Sequence, residues 1–226
     1  MILLQSRCFE DHRFQVYENE RIILGFSEIN FPAAALQRFF NPRPLMFLKQ
    51  IHSRIIVRDQ DWRAGSEGDG MLLQKPGVVA VIQTADCLPL FFFADDYKAA
   101  GVIHVGWRGL SKEIEVKLLE MLPGNRQKYW FYLGPAIEKK CYPVGEELFQ
   151  KFNKKPYGES IFSKRHDGKF LMDIKAGLVM SLRRAGVAAG RISDCGLCTF
   201  CLTEQFPSYR RDGKTGKRIY NFLSLR

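Results

Sequence analysis

The 226-residue sequence lacks any apolar run long enough to cross a lipid bilayer, which argues against a membrane protein built on spanning helices. Its apolar opening, Met1-Ile2-Leu3-Leu4, is far shorter than the core of a signal peptide. We therefore expect a cytoplasmic protein with no membrane partner. In that compartment the six cysteines are expected to be thiols rather than a disulfide framework.

The sequence also lacks a basic helix and an aromatic-basic nucleic-acid motif. Its net charge is nevertheless +10, from 34 Lys and Arg against 24 Asp and Glu. The basic residues are scattered in pairs, so we expect a small anion rather than nucleic acid as the partner, and the sequence gives no further reason for the charge. Because repeats, low-complexity segments and linkers are absent, we predict one domain over residues 1–226, as a monomer or a homodimer.

Short apolar segments between polar turns dominate the first part of the chain, and amphipathic segments come mainly later. The runs at 78–83, 88–93 and 99–105 are almost continuously apolar, which is typical of strands covered on both faces. The predicted helices span Pro32–Phe40, Leu110–Leu122, Val144–Phe152 and Met172–Ala185. Strands grouped ahead of helices favour an α+β fold over strict βαβ alternation.

Two of these predicted strands carry residues that bind soft metals at their ends. Cys87 follows the strand at 78–83, and His104 lies near the end of the strand at 99–105. His52 lies upstream, in a short polar segment. Catalytic zinc takes three protein ligands from His, Cys and carboxylate and keeps an open position, so this set predicts a catalytic zinc site that would also accept copper. The alternative is a buried thiol and two hydrogen-bonded histidines.

Polar residues beside the three candidates admit two interpretations each. Asp86 either orients a ligand histidine or caps the turn that precedes Cys87. Gln50 either contacts a substrate or pairs with the backbone. The segment 67–70, Glu-Gly-Asp-Gly, either approaches a ligand or only turns the chain.

Arginines and hydroxyls in two further segments predict contacts with an anionic substrate. Arg108 follows Trp107 at a predicted helix start, where backbone N–H groups and the guanidinium attract anions; the alternative is a surface arginine packed on the indole. The polar loop 208–217 carries Ser208 and Arg210, which we expect to contact an anionic or polyhydroxyl substrate unless the loop is a solvated hairpin turn.

Three cysteines in the C-terminal part are spaced like part of a structural zinc or iron–sulfur site: Cys195, Cys198 and Cys201. Structural zinc takes four protein ligands, and the fourth would have to come from Cys141 or from a histidine far away in the sequence. Whether the trio binds a second metal therefore stays open. We expect Cys8 and Cys141 to be structural.

Taken together, six segments resemble the bacterial laccase-domain family. They are Gln50-Ile51-His52-Ser53, Thr84-Ala85-Asp86-Cys87-Leu88-Pro89, His104-Val105-Gly106-Trp107-Arg108-Gly109, Gly134-Pro135-Ala136-Ile137, Cys198-Thr199 and Pro207-Ser208-Tyr209-Arg210-Arg211. The resemblance covers nearly the whole chain, and the order and spacing of the second and third segments are specific. Family members are described as polyphenol oxidoreductase laccases, peptidoglycan-editing factors and purine nucleoside phosphorylases. Val105 stands where they commonly have alanine, which bears on the substrate range.

The resemblance implies that a single zinc ion is bound by His52, Cys87 and His104. It implies phosphorolysis of adenosine, inosine and methylthioadenosine, with nucleoside and phosphate as partners, and adenosine deamination as a further activity. It also implies a single-domain α/β sandwich of mixed sheets with flanking helices, resembling Cys–His hydrolase and deamidase folds.

Other functions remain open on the same residues. Cys87 would act as a nucleophile, with His104 or His52 as its base, in an amide hydrolase that edits peptidoglycan precursors. A metal-binding protein without catalysis is a further alternative. A multi-copper laccase needs more histidines than the four present, so copper-dependent phenol oxidation is not favoured. The sequence does not decide between nucleosides and peptidoglycan precursors as the physiological substrate.

Overall fold

Two six-stranded sheets and a small three-stranded sheet form the frame of the protein. The computed structural model describes residues 3–213 and 215–226. The strands are β1 (Gln5–Phe9), β2 (His12–Glu18), β3 (Ile22–Ser27), β4 (Leu45–Phe47), β5 (Ile56–Arg58), β6 (Gly70–Leu73), β7 (Val79–Thr84), β8 (Leu88–Ala94), β9 (Ala100–Val105), β10 (Tyr129–Leu133), β11 (Pro143–Val144), β12 (Phe162–Lys164), β13 (Phe170–Met172), β14 (Ile192–Asp194) and β15 (Ile219–Leu225). The helices are α1 (Ala33–Phe40), α2 (Trp107–Ser111), α3 (Ile114–Met121), α4 (Glu146–Phe152) and α5 (Ile174–Arg184).

Both large sheets mix parallel and antiparallel strands. The first sheet has the order β1-β2-β3-β15-β7-β4, and only its β4–β7 pair is parallel. The second sheet has the order β14-β10-β8-β9-β6-β5, with parallel pairs at its two edges. The third sheet, β11-β13-β12, is antiparallel. The α+β sandwich of mixed sheets predicted from the sequence is confirmed.

The two large sheets pack face to face between layers of helices. In β7, Val81 points toward α1 on the outer face of the first sheet, while Ile82 points into the space between the sheets. In β8, Phe91 points into the same space, and Phe92 packs toward α2–α5 on the other face of the second sheet. Successive side chains of a strand point to opposite faces, so strands covered on both sides are apolar throughout. That residues 1–226 form one domain stays a prediction.

The helix predicted over 110–122 is confirmed over 114–121, but its continuity is wrong, because the segment forms two short helices instead of one. Glu113 adopts a left-handed backbone conformation, with φ of 63°, between α2 and α3. Tertiary contacts hold this break: the Lys112 ammonium donates to the His52 carbonyl at 2.9 Å, and Lys155 donates to the Glu113 carboxylate at 2.8 Å. The apolar periodicity of the segment does not report such long-range contacts.

The other helices are confirmed, although two of them begin later than their patterns predict. Val144 and Met172 belong instead to strands β11 and β13 of the small sheet, where Val144 pairs with Phe170 and Met172 pairs with Phe162. Asp173 then caps α5 by accepting a hydrogen bond from the Ala176 N–H at 2.9 Å. No helix within the described ranges combines the length and the apolar character that a bilayer span requires.

Candidate metal centre

Two loops and the end of one strand bring His52, Cys87 and His104 together at one end of the sandwich. His52 lies between β4 and β5, Cys87 lies between β7 and β8, and His104 lies near the end of β9. Their ligand atoms all lie within 4.8 Å of one another. The two imidazole rings cross at 72° with centroids 4.9 Å apart. The structure therefore assembles the predicted triad, and its role in metal binding remains a prediction.

The connection that carries Cys87 crosses from the first sheet to the second. β7 belongs to the first sheet and β8 to the second, so the turn between them lies at the seam of the sandwich. Asp86 holds the turn with φ of 83°, a left-handed conformation that aspartate tolerates better than most residues. The thiol is thus fixed by two rigid strands, which limits its movement relative to His104 on the adjacent β9.

Asp69 organises both histidines, a role that the sequence did not reveal. Its carboxylate is fully buried. One oxygen lies 2.8 Å from Nδ1 of His104 and accepts the His52 N–H at 3.0 Å. The other accepts the N–H and the hydroxyl of Ser53 at 2.5 and 2.7 Å. A carboxylate on Nδ1 leaves Nε2 of His104 as the nitrogen available to a metal, an arrangement typical of metal-binding histidines.

The charges of these groups reinforce each other. Burial alone would raise the pKa of Asp69, but hydrogen bonds from His104 and Ser53 lower that pKa to about 2. Burial also opposes charge on Cys87 and His104, yet their mutual attraction lowers the pKa of Cys87 to about 6 and raises the pKa of His104 to about 9. A cation would take the place of the imidazolium proton beside the thiolate. Two imidazoles and one thiolate are a donor set that suits zinc.

Asp86 caps its own turn and the C-terminal loop, and does not orient a ligand histidine. Its carboxylate accepts hydrogen bonds from the Thr199 hydroxyl at 2.7 Å, the Ser208 hydroxyl at 3.0 Å and the Arg210 N–H at 2.7 Å. The capping alternative is therefore the one that the structure supports. Through these contacts Asp86 fixes the loop that begins at Ser208 against the Cys87 turn.

A cavity of about 500 Å³ opens above the triad. Three aromatic side chains line it, and three guanidinium groups surround it. The aromatic residues are Trp107, Tyr142 and Tyr209. The arginines are Arg108, Arg210 and Arg218. Apolar ring faces beside positive charge suit a ligand that has both a flat ring system and an anionic group.

The predicted substrate-contact residues differ in their access to this cavity. Gln50 lines it, but its amide pairs with the backbone of Gln83, accepting at 2.7 Å and donating at 2.9 Å. Ser208 is fully buried beneath the loop, where its hydroxyl donates to Asp86, and it does not line the cavity. Arg108 and Arg210 both face the cavity.

The two arginines are held by aromatic rings. The Arg108 guanidinium lies 4.3 Å from the centroid of the Trp107 ring and also faces the cavity. Arg108 is therefore packed on the indole, as one interpretation predicted, and is also placed to contact an anion, as the other predicted. Helix α2 is only five residues long, which is too short for its N-terminus to serve as an anion site. Any anion contact here therefore depends on the Arg108 guanidinium. The Arg210 guanidinium lies 5.3 Å from the Tyr142 ring centroid and donates to the Pro143 carbonyl at 2.7 Å.

Glycines mark the places where the site is packed too closely for a side chain. A Cβ on Gly106 would lie 2.9 Å from the Cys87 sulfur and 3.3 Å from Cδ2 of His52. A Cβ on Gly70, which follows Asp69, would collide with Ile103. Glycine beside an acidic residue was the available sequence signal for Asp69, since it indicates a close backbone approach.

A family model described as multi-copper polyphenol oxidoreductase laccase matches residues 27–226. A purine nucleoside phosphorylase of Xylella fastidiosa is 33% identical over 76% of this chain and 68% of its own length. The purine nucleoside phosphorylase YfiH of Escherichia coli is 30% identical over 81% of this chain and 75% of its own. The purine nucleoside phosphorylase CA_C1699 of Clostridium acetobutylicum is 28% identical over 95% and 93%.

Solved structures share the whole architecture. YlmD from Geobacillus stearothermophilus covers 100% of both chains with a TM-score of 0.86 and 20% identity, which shows the fold. Neisseria meningitidis protein NMB0706 covers 94% of this chain and 98% of its own, with a TM-score of 0.84 and 26% identity. Fold and site thus define a laccase-domain protein with a candidate His/Cys metal centre. The chain belongs to the family described as multi-copper polyphenol oxidoreductase laccase, whose named relatives here are purine nucleoside phosphorylases.

Proposed function

We propose that the protein is a zinc-dependent purine nucleoside phosphorylase that acts on adenosine, inosine and methylthioadenosine and also deaminates adenosine. The observation that carries the proposal is the cavity, where the half-buried His52 and Cys87 and the buried His104 lie beneath aromatic side chains and three arginines. The names of the relatives support the same reaction class. The proposal includes a cytoplasmic location and leaves the oligomeric state open.

The cavity offers separate surfaces for the parts of a nucleoside and for phosphate. Trp107 and Tyr142 line the cavity, and a purine would pack against the parts of their rings that Arg108 and Arg210 leave uncovered. Arg108 and Arg210 present guanidinium groups that match the oxygens of a phosphate. A phosphate held there would attack the anomeric carbon of the ribose, and the purine would leave with the electrons of the glycosidic bond. The departing purine takes up a proton at the nitrogen of the broken bond and is released as the free base. The other product is ribose 1-phosphate from adenosine or inosine, and methylthioribose 1-phosphate from methylthioadenosine.

The chain's own residues hold the centre rigid for this chemistry. When bound, zinc would supply a Lewis acid for the substrate or for water. Asp69 keeps the Nδ1 side of His104 occupied and fixes the loop that carries His52. The Asp86 carboxylate fixes Arg210 by accepting a hydrogen bond from the Arg210 backbone N–H. Preorganised charges of this kind stabilise charge that develops on the ribose during bond cleavage.

Product analysis tests the proposal. The purified protein is incubated with adenosine, with and without phosphate, and products are identified by mass. Adenine and ribose 1-phosphate are expected only with phosphate, and inosine is expected without it. In Cys87→Ala, all of these products are expected to vanish together with the zinc of the His52–Cys87–His104 centre. Cys8→Ala, at an exposed cysteine on β1, is the matched control and is expected to retain both activities. If a zinc-loaded wild-type protein forms neither adenine nor inosine from adenosine, the nucleoside assignment is overturned.

A second function is favoured by one observation, the alignment of Cys87, His104 and Asp69. A thiol beside an imidazole that is oriented by a carboxylate is also the arrangement of a cysteine nucleophile, as in an amide hydrolase acting on peptidoglycan precursors. Stoichiometric alkylation of Cys87 in metal-free buffer, with matching loss of amidase activity, would support this function. Protection of the thiol by zinc, with loss of that activity, would count against it.

The histidine positions do not favour a multi-copper oxidase. His12 packs against the Phe31 ring on the first sheet, with centroids 5.5 Å apart, and His166 is exposed in the turn before β13. Two of the four histidines therefore lie outside the candidate centre. Copper sites for oxygen chemistry are built largely from imidazoles, so we propose zinc for the single centre.

A further inference from the structure

A second group of soft donors lies outside the candidate centre. Cys141, Cys198 and Cys201 have sulfur atoms that all lie within 4.8 Å of one another, and the sulfurs of Cys141 and Cys201 are 3.4 Å apart. Cys195 belongs to the same sequence trio but not to this group. Its backbone N–H bonds to the Leu133 carbonyl at 3.0 Å, and its side chain packs against the core between the large sheets.

Two loops with fixed backbones carry the three thiols. The loop after β10 carries Cys141 in a short 3-10 turn, and the loop after β14 carries the other two. A parallel bridge between Ala136 and Cys198 ties the loops together, and the Thr199 N–H donates to the Ala136 carbonyl at 3.2 Å. The three sulfurs are thus brought together by the folded backbone rather than by sequence spacing alone.

The sulfur separations suit a metal ion better than a disulfide. A tetrahedral zinc with zinc–sulfur bonds of about 2.3 Å holds its sulfurs roughly 3.8 Å apart, close to the spacing of the group. A disulfide between Cys141 and Cys201 would need a sulfur separation of about 2.05 Å and would leave Cys198 without a partner.

The electrostatic environment also suits a bound cation. Three thiolates within 4.8 Å of one another would repel, and a divalent cation among them would remove that repulsion. Lys140, the neighbour of Cys141 in the chain, adds a positive charge beside the group.

We propose that Cys141, Cys198 and Cys201 bind a second zinc ion, with the fourth coordination position open to solvent. Cys198 is buried, Cys141 is half-buried and Cys201 is exposed, so the group opens to solvent on the Cys201 side. Three protein ligands with an open fourth position are the ligand count of catalytic zinc sites, whereas structural zinc sites are closed by four protein ligands. The ion would join the loop that carries Tyr142 to the loop whose Thr199 holds Asp86, and so would brace one wall of the cavity.

Metal loading in a background without the first centre tests the proposal. Cys87→Ala is exposed to zinc with a phosphine reductant, passed through a desalting column and analysed for metal. About one zinc per chain is expected to remain, with sulfur ligands at about 2.3 Å in X-ray absorption. Adding Cys141→Ser or Cys201→Ser is expected to abolish that zinc. Cys195→Ser and Cys8→Ser are the matched controls and are expected to retain it.

Thermal unfolding distinguishes variants that lose zinc because a ligand is missing from variants that lose zinc because they misfold. Zinc is expected to raise the melting temperature of Cys87→Ala but not of the variants that also lack Cys141 or Cys201, while all of them melt alike without zinc. His52→Ala provides a second background with the same expected results. The proposal is overturned if Cys87→Ala and His52→Ala hold no sulfur-bound zinc, or if Cys141→Ser with Cys201→Ser leaves the zinc in place.

Discussion

Replacing Asp69 by asparagine tests the proposed centre most directly, because the change keeps the size of the side chain and removes its charge. One native oxygen serves His104 and the His52 N–H, and the other serves both donors of Ser53. An asparagine has one acceptor oxygen and one donor amide, so it satisfies only one of these sets. If the amide faces His104, the imidazole must accept at Nδ1 and carry its proton on Nε2, the nitrogen needed by the metal. If the amide faces Ser53, the loop that carries His52 loses its anchor.

The size of the effect follows from the contacts that are lost. Removing a carboxylate that orients a metal-binding histidine weakens metal binding by about 10–100-fold, which corresponds to about 1.4–2.7 kcal/mol. A buried hydrogen bond to a charged group contributes about 1.5–3 kcal/mol to stability. We therefore expect Asp69→Asn to bind zinc about 10–100-fold more weakly, and its free energy of unfolding without metal to fall by about 1.5–3 kcal/mol.

Zinc affinity is measured by competition with a chelating dye in a Cys141→Ser background, so that only the His52–Cys87–His104 centre is titrated, and stability is measured by guanidinium unfolding of the metal-free protein. Asp173→Asn is the matched control, because the same chemical change occurs at a helix cap where one oxygen accepts the Ala176 N–H. Asparagine caps helices as well as aspartate does, so the control is expected to keep wild-type zinc affinity and stability. Wild-type zinc affinity in a folded Asp69→Asn protein would refute the role assigned to Asp69.

Three further predictions address packing, pH dependence and helix capping. Gly106→Ala would place a Cβ 2.9 Å from the Cys87 sulfur, so we expect weaker zinc binding in the dye competition; an unchanged affinity would show that the centre can expand. Burial raises the pKa of Glu115, which accepts one hydrogen bond from Ser181 at 2.6 Å, while its other oxygen has no partner within the described residues. Its favourable contribution is therefore complete below the unfolded pKa of about 4.3 and is lost as pH rises through the raised folded pKa. Glu115→Gln cannot ionise, so its stability relative to the wild type is expected to increase with pH in urea unfolding, and a difference that is constant with pH would contradict this reasoning. Asp173→Ala removes the cap of α5 and is expected to lower the free energy of unfolding by about 1 kcal/mol, and no loss would mean that the cap is replaced by solvent.

Strand patterns predicted the part of the centre that contains Cys87 and His104, because strands buried on both faces are continuously apolar and can be recognised in the sequence. The apolar runs at 78–83 and 99–105 correspond to β7 and β9, and the residues at their ends, Cys87 and His104, do meet. Residue type then restricted the chemistry, since thiol and imidazole are both soft donors. His52 was grouped with them from its residue type and from the family resemblance, not from a strand pattern, because its loop conformation depends on distant hydrogen bonds to Asp69.

Long-range polar contacts were beyond the reach of the sequence patterns. Asp86 stands beside Cys87 in the chain and so was a candidate partner for a ligand histidine, yet its hydrogen bonds go to Thr199 and Ser208, more than 100 residues away in the sequence. The carboxylate that does contact His104 is Asp69, which is 35 residues away. Spacing along the chain orders the elements, but it does not tell which carboxylate faces a given imidazole across a sheet.

The carboxylates of Asp69 and Asp86 therefore have different roles in the site. Asp69 binds the histidine loop and β9, so it acts on the geometry of the donor atoms. Asp86 binds Thr199 and the Arg210 N–H, so it acts on the wall and rim of the cavity. The two changes should consequently separate: Asp69→Asn should weaken zinc binding most strongly, whereas Asp86→Asn should leave zinc bound and weaken the binding of phosphate and nucleoside. A parallel loss of both properties in both variants would mean that the donor atoms and the cavity wall form one cooperative unit.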